Sequence, residues 1–253
     1  MSYLGELSRE LGAVGIRGGL RRRILAEADD HLRSGGDAAR FGAPHEIAER
    51  FAAELAPSVS RRGAYTAFAA LAVAGGVYTA AFLSIGTPSG FLDLLPAAVA
   101  IVAPQVAFVC GSLALLRALR RPGDAAVVGR RAALAVVSGL AAVASVAYLA
   151  DATAISAATG AAGLLLLAAA PRTVVAARLR APGAVVGDLR DDLGLPLEPW
   201  RIARLVAVGC GVLVLVAGIA ASDPIDGLVR AVAESLACLG GFWALGRAIG
   251  LRR

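Results

Sequence analysis

Histidine and cysteine are scarce in this chain, and their placement removes several chemistries at once. His31 and His45 are the only histidines. Asp29 and Asp30 stand beside the first, but the set has no recognised zinc-ligand spacing; solvated helix surface is expected, with no metal. Cys110, Cys210 and Cys238 are the only cysteines, and all three fall within apolar stretches. There is no CxxC pair and no outer loop long enough for a disulfide framework, so the three are read as small packing residues. Also absent are GxSxG, a Walker-type glycine loop, HExxH, and any serine–histidine or paired-aspartate arrangement within the apolar segments. No catalytic residue and no cofactor are assigned, and the chain is read as not an enzyme. Its first residues, Ser2-Tyr3-Leu4 and the charged amphipathic stretch that follows, lack the apolar region of a cleavable signal peptide. The first apolar segment is expected to serve as the insertion signal.

Lysine is missing altogether: all 25 basic side chains are arginine. They cluster at 61–62, 117–131, 172–204 and 247–253, between long apolar segments at 64–85, 91–116, 132–150, 152–170, 202–221 and 225–245. Each segment is close to the ~20 residues needed to cross a ~30 Å hydrocarbon core, the fourth tightly so. The alternate connections hold no arginine and lie near Asp93, Asp151, Asp223 and Asp226. The positive-inside rule then predicts an all-α protein with six spans, arranged as three hairpins with both termini in the cytoplasm. Comparable starting places at Arg62, Arg131 and Arg204 make this a repeat of hydropathy only. The net charge of +6 is explained by arginines at span ends facing the anionic inner leaflet, and direct nucleic-acid binding is not expected.

Composition changes near Pro57. Residues 1–56 read as a small helical domain, 57–63 as a linker, and 64–253 as the membrane part with a cytoplasmic loop at 171–200. In the first region Leu4, Leu7 and Leu11 recur at helical spacing, as do Leu20, Ile24, Ala28 and Leu32, then Ile47, Phe51 and Leu55. Gly18-Gly19 opens the second helix, Ser34-Gly35-Gly36 ends it, Asp37 can cap a short turn, and Pro44 suits the first position of the last helix. Arg23 and Glu27 form an i,i+4 pair. A domain of this size has a marginal core. Support is expected from the membrane surface, from the cytoplasmic span ends, or from a partner.

Within the spans the polar residues of interest are Gln105, Arg230 and Glu234. Arg230 and Glu234 stand four apart, so a helix puts both on one face, where they serve either as a functional pair or as an interfacial pair that snorkels outward. Pro96 and Pro104 with Gln105 predict a kinked second span. In the loop, Trp200 beside Arg201 fits an interfacial anchor, and the charged stretch around Asp188 to Asp192 offers a docking surface. Frequent glycine and alanine suit close helix approach, either tight bundling or homo-oligomerisation.

The segment GGDAARFGAPHEIAERFAAEL, residues 35–55, resembles the HAAS domain, a short helical module in which a charged helix is followed by a Gly-x-Pro turn and a last helix patterned Pro-x-x-Ile-Ala-x-x-x-Ala. The resemblance covers about residues 3–56 and rests on Phe41, Gly42, Pro44, Ile47 and Ala48. Where the family usually carries aspartate between glycine and proline, this chain has Ala43, which cannot cap the following helix through its side chain. The resemblance implies a bacterial inner-membrane protein of the kind encoded beside a PadR-like regulator, with a signalling role, and sometimes preceding permease domains.

Together these readings lead to a non-enzymatic integral membrane regulator whose N-terminal helices bind a cytoplasmic protein partner through Arg21, Arg22, Asp29, Asp30, His45 and Glu49. The alternative is a transporter or permease subunit that uses the kinked second span and the Arg230/Glu234 pair; a purely structural membrane scaffold is the third reading.

Overall fold

The computed structural model describes residues 2–35, 41–82, 93–150 and 153–182, together with scattered positions between 201 and 243. Asp37, Cys210, Arg230, Glu234 and residues 183–200 of the loop expected at 171–200 lie outside the described residues, as do many positions of the fifth and sixth expected spans, while 171–178, expected as the start of that loop, are helical. The described chain is all-helical, with no strand. Its helices are α1 (Tyr3–Ala13), α2 (Gly18–Arg33), α3 (Pro44–Phe82), α4 (Leu94–Arg120), α5 (Ala125–Leu149) and α6 (Thr153–Arg178).

Local chemistry sets the ends of the first helices. Ser2 Oγ accepts from the Gly5 amide at 3.3 Å to start α1. The far end closes as a Schellman turn: the Ile16 amide donates to the Leu11 carbonyl at 2.8 Å and the Gly15 amide to that of Gly12 at 3.2 Å. Gly15 takes the left-handed φ of 92° that this turn needs, and Ile16 folds back into the same core as Leu11. The helix α2 ends before Gly35, also left-handed, and Gly42 at φ 100° leads into Pro44 at the first position of α3.

The helix α3 is 39 residues long and continues through Pro57, so the stretch 57–63, expected as a linker, is helical. Pro57 and Gly63 are the helix-opposing residues between Leu55 and Ala64, and Ala52 and Ala56, on the turn before Pro57, are fully buried. The helices α4, α5 and α6 are long and apolar enough to cross a membrane, the three that meet this measure among the described residues. They outrun the apolar segments at their arginine-bearing ends, because apolar composition marks only what lipid must cover while the hydrogen-bond ladder runs on. The assignment of α4 is unbroken across Pro104.

The described residues fall into two compact units. The first joins residues 1–68 to 113–133 and 169–186. Its core is Leu7 and Leu11 from α1, Ile16, Ile24 and Ala28 from α2 and the turn before it, Ile47, Ala48, Ala52 and Ala56 from α3, and Ala125 and Leu179 from the ends of α5 and α6. Of the sources of support expected for the N-terminal helices, the ends of the long apolar helices α5 and α6 are the one present in this core. The second unit is built on close approach: a side chain at Gly139 would lie 3.0 Å from Leu71 and 3.1 Å from Leu166, and one at Gly111 2.8 Å from Leu71. The Tyr78 hydroxyl donates to the Ala100 carbonyl within the same unit. Leu95, Val137, Tyr148 and Leu164 point outward, as expected where the surrounding medium is hydrocarbon.

Candidate functional site

The outward surface of the first unit is polar and follows directly from the helical period. With Ile24 and Ala28 turned inward, α2 presents Arg22, Arg23, Glu27 and Asp30 to solvent, while Arg21 and Asp29 sit at the rim, partly covered. Arg21 lies beside Gly12 of α1. Asp29 is held by Arg33 at 2.8 Å, and Arg23 by Glu27 at 3.3 Å. His45 and Glu49, one turn apart at the start of α3, are both exposed. Four of the six expected partner-binding residues are thus exposed, and two are partly covered at the edge of the same unit. His31 is exposed and its ring packs on Phe41 at 5.2 Å, which also receives Tyr3 edge-on at 5.9 Å. The Tyr3 hydroxyl donates to the Gly42 carbonyl at 3.0 Å, and burial raises its pKa above 10.0. These contacts tie α1 and α2 to the turn before α3.

Beneath this surface the first unit holds features that periodicity did not reveal. Arg117 is fully buried, and its Nε donates to Asp124 at 2.9 Å, with Nη2 contacting the same carboxylate oxygen. The pair closes the Pro-Gly turn between α4 and α5, and the Asp124 carbonyl accepts from Val127 and Val128 to begin α5. The readable signal was an isolated acid after three arginines within the run 117–124. The second feature surrounds the end of α6. A Cβ on Gly15 would overlap the Arg178 carbonyl, one on Gly129 would overlap the backbone at Ala177, and one on Gly63 would sit 3.2 Å from the Ala176 methyl. Glycines from three separate elements therefore let α6 approach backbone to backbone, and the Arg180 amide donates to the Val14 carbonyl at 2.9 Å.

Gln105 lies in α4, partly buried, and Cys110 and Cys238 are buried. Among the described residues no group of three or more histidine, cysteine, aspartate or glutamate side chains could hold a metal ion. Compared with family models, with characterised proteins and with solved structures, the chain matches none. What the arrangement offers chemically is a polar, charge-mixed protein surface whose supporting core includes the ends of apolar helices.

Proposed function

We propose that the chain is a non-enzymatic regulator of the bacterial inner membrane, in which the N-terminal helices, read as HAAS-like, bind a cytoplasmic protein through Arg22, Asp30, His45 and Glu49, with Arg21 and Asp29 at the rim. The partner implied by the resemblance is a PadR-like regulator. One observation carries the reading: the partner-facing helices and the ends of α5 and α6 share a single buried core, through Ala125 and Leu179. A change in the packing of those long helices has to be met by the core under the binding surface, since packed interiors do not deform continuously. Input would come from within the bilayer, by a hydrophobic compound, a lipid or an associated transporter subunit.

A photo-reactive side chain placed in turn at Asp30, His45 and Glu49 of the full chain, in native membranes, tests this. Adducts to one soluble protein, lost when Arg22→Glu is added, are the expected outcome. Absence of adducts at all three positions, together with solute flux in proteoliposomes that Glu234→Gln abolishes, would replace it with the transport reading.

A further inference from the structure

The middle of α3 and the arginine-bearing ends of α5 and α6 carry a set of arginines with no acidic partner among the described residues. Arg61, Arg62, Arg130, Arg172 and Arg178 are all exposed, and none of them is in an ion pair among the described residues. Acidic side chains are wholly lacking from α5, from α6 and from α3 beyond Glu54. Asp124, at the start of α5, is taken up by Arg117.

Two of these arginines are brought to one place. Gly63 packs on α6 so closely that its Cβ position lies 3.4 Å from the Arg172 carbonyl, and Arg172 Nη1 donates to Thr66 Oγ1 at 3.2 Å. Arg62 precedes Gly63 and stands one turn before Thr66, on the same helix face. One guanidinium is thus bonded to the Thr66 hydroxyl, and Arg62 stands one helical turn from it on the same face. Tyr65 beside them on α3 and Val175 on α6 are more than half exposed. The patch sits where each helix passes from arginine-bearing to apolar sequence.

We propose that Arg62, Thr66 and Arg172 form a binding site for the phosphate of an anionic phospholipid. Guanidinium groups present paired donors that match phosphate oxygens, and these two form no ion pair among the described residues. The exposed apolar flank selects a lipid over a free phosphate ester, because it offers acyl chains a surface that an aqueous anion cannot use. The proposal rests on the membrane reading of α4 to α6 and is independent of the partner surface on α2.

The full chain is reconstituted into nanodiscs of phosphatidylcholine with a minor fraction of phosphatidylglycerol, and the lipids retained on release are counted by native mass spectrometry. Phosphatidylglycerol is expected to be enriched on the protein. Its retention should fall about fivefold for Arg62→Gln or Arg172→Gln alone and roughly twentyfold or more for both, while Arg50→Gln, with the same charge change on the first turns of α3, leaves it unaltered. Should the double variant not fold, Arg62→Lys, which keeps the charge and loses the fork, is expected to show partial loss. Equal retention of both lipids, or unchanged enrichment in the arginine variants, would overturn the site while leaving the membrane reading standing. Displacement of phosphatidylglycerol by glycerol 3-phosphate as readily as by a short-chain phosphatidylglycerol would overturn the choice of a lipid. Failure of the chain to enter a bilayer would overturn the membrane reading and the site with it.

Discussion

At the scale of single residues, the first unit depends on positions where a side chain is missing. Gly15 and Gly18 are both left-handed, at φ 92° and 65°, so alanine at either is strained by about 1 kcal/mol. Only Gly15 faces backbone: a methyl there meets the Arg178 carbonyl, while the space beside Gly18 is open. Gly15→Ala is therefore expected to cost at least ~2 kcal/mol more than Gly18→Ala in chemical denaturation, and to release protection of the Arg180 amide in hydrogen exchange. Equal losses would mean that the turn does not bear on α6. Tyr3 supplies a second check. Its neutral hydroxyl donates to Gly42 and burial raises its pKa, so the unfolded chain loses this proton first as pH rises. Stability from Tyr3 is then fully present below pH 10.0 and lost from there up to the folded value. Tyr3→Phe should remove that slope and cost about 1 kcal/mol at neutral pH, both measurable by urea titration at several pH values.

The elements show how far a pattern of spacing can be read. The apolar rows at Leu4, Leu7 and Leu11 and at Leu20, Ile24, Ala28 and Leu32 marked α1 and α2, although Leu20 is exposed, and the glycine punctuation read for α2 fell at its observed ends. In α3 the row Ile47, Phe51, Leu55 was legible, yet Ala48, Ala52 and Ala56 are the fully buried face and the larger residues flank it. Alanine is so common here that its spacing carried no signal against the background. The turn before α3 also exposes a deficiency that can be repaired. The Ala43 carbonyl accepts from the Ile47 amide at 3.2 Å, which places Ala43 at the cap, and Glu46 reaches back toward Gly42. Ala43→Ser would complete a capping box with Glu46 and should stabilise the folded chain by about 1 kcal/mol, raising the thermal midpoint. The turn between α4 and α5 predicts the opposite behaviour. Asp124→Asn strands the buried Arg117 charge and is expected to cost at least ~3 kcal/mol, whereas Arg117→Met with Asp124→Ala should recover more than half of that loss. Additive losses in this cycle would show that the pair is not coupled.

For the whole molecule, the membrane-length helices were legible because lipid demands a long apolar run, and three of the expected six appear among the described residues. What sequence could not supply was which residues cover the N-terminal helices. Their apolar stripe required a partner surface, but the residues that meet it, Ala125 and Leu179, stand singly at the ends of α5 and α6 with no periodicity of their own. Nor does the change of composition at Pro57 coincide with a break in the helix, since α3 runs through it, and the core on its first turns includes those distant residues. This arrangement makes a prediction that a tethered, separately folded domain would not. Removing residues 1–56 should uncover Leu179, Ala125 and Val59 and lower the thermal midpoint of the remaining chain in detergent, with Leu179 alone contributing about 2 kcal/mol of lost burial. Leu179→Ala in the full chain should reproduce part of that loss and loosen α1 in hydrogen exchange, because cavity and transfer costs fall on the shared core. An unchanged midpoint on truncation would mean that the two parts fold without energetic connection, and a regulator could then pass no signal through this core.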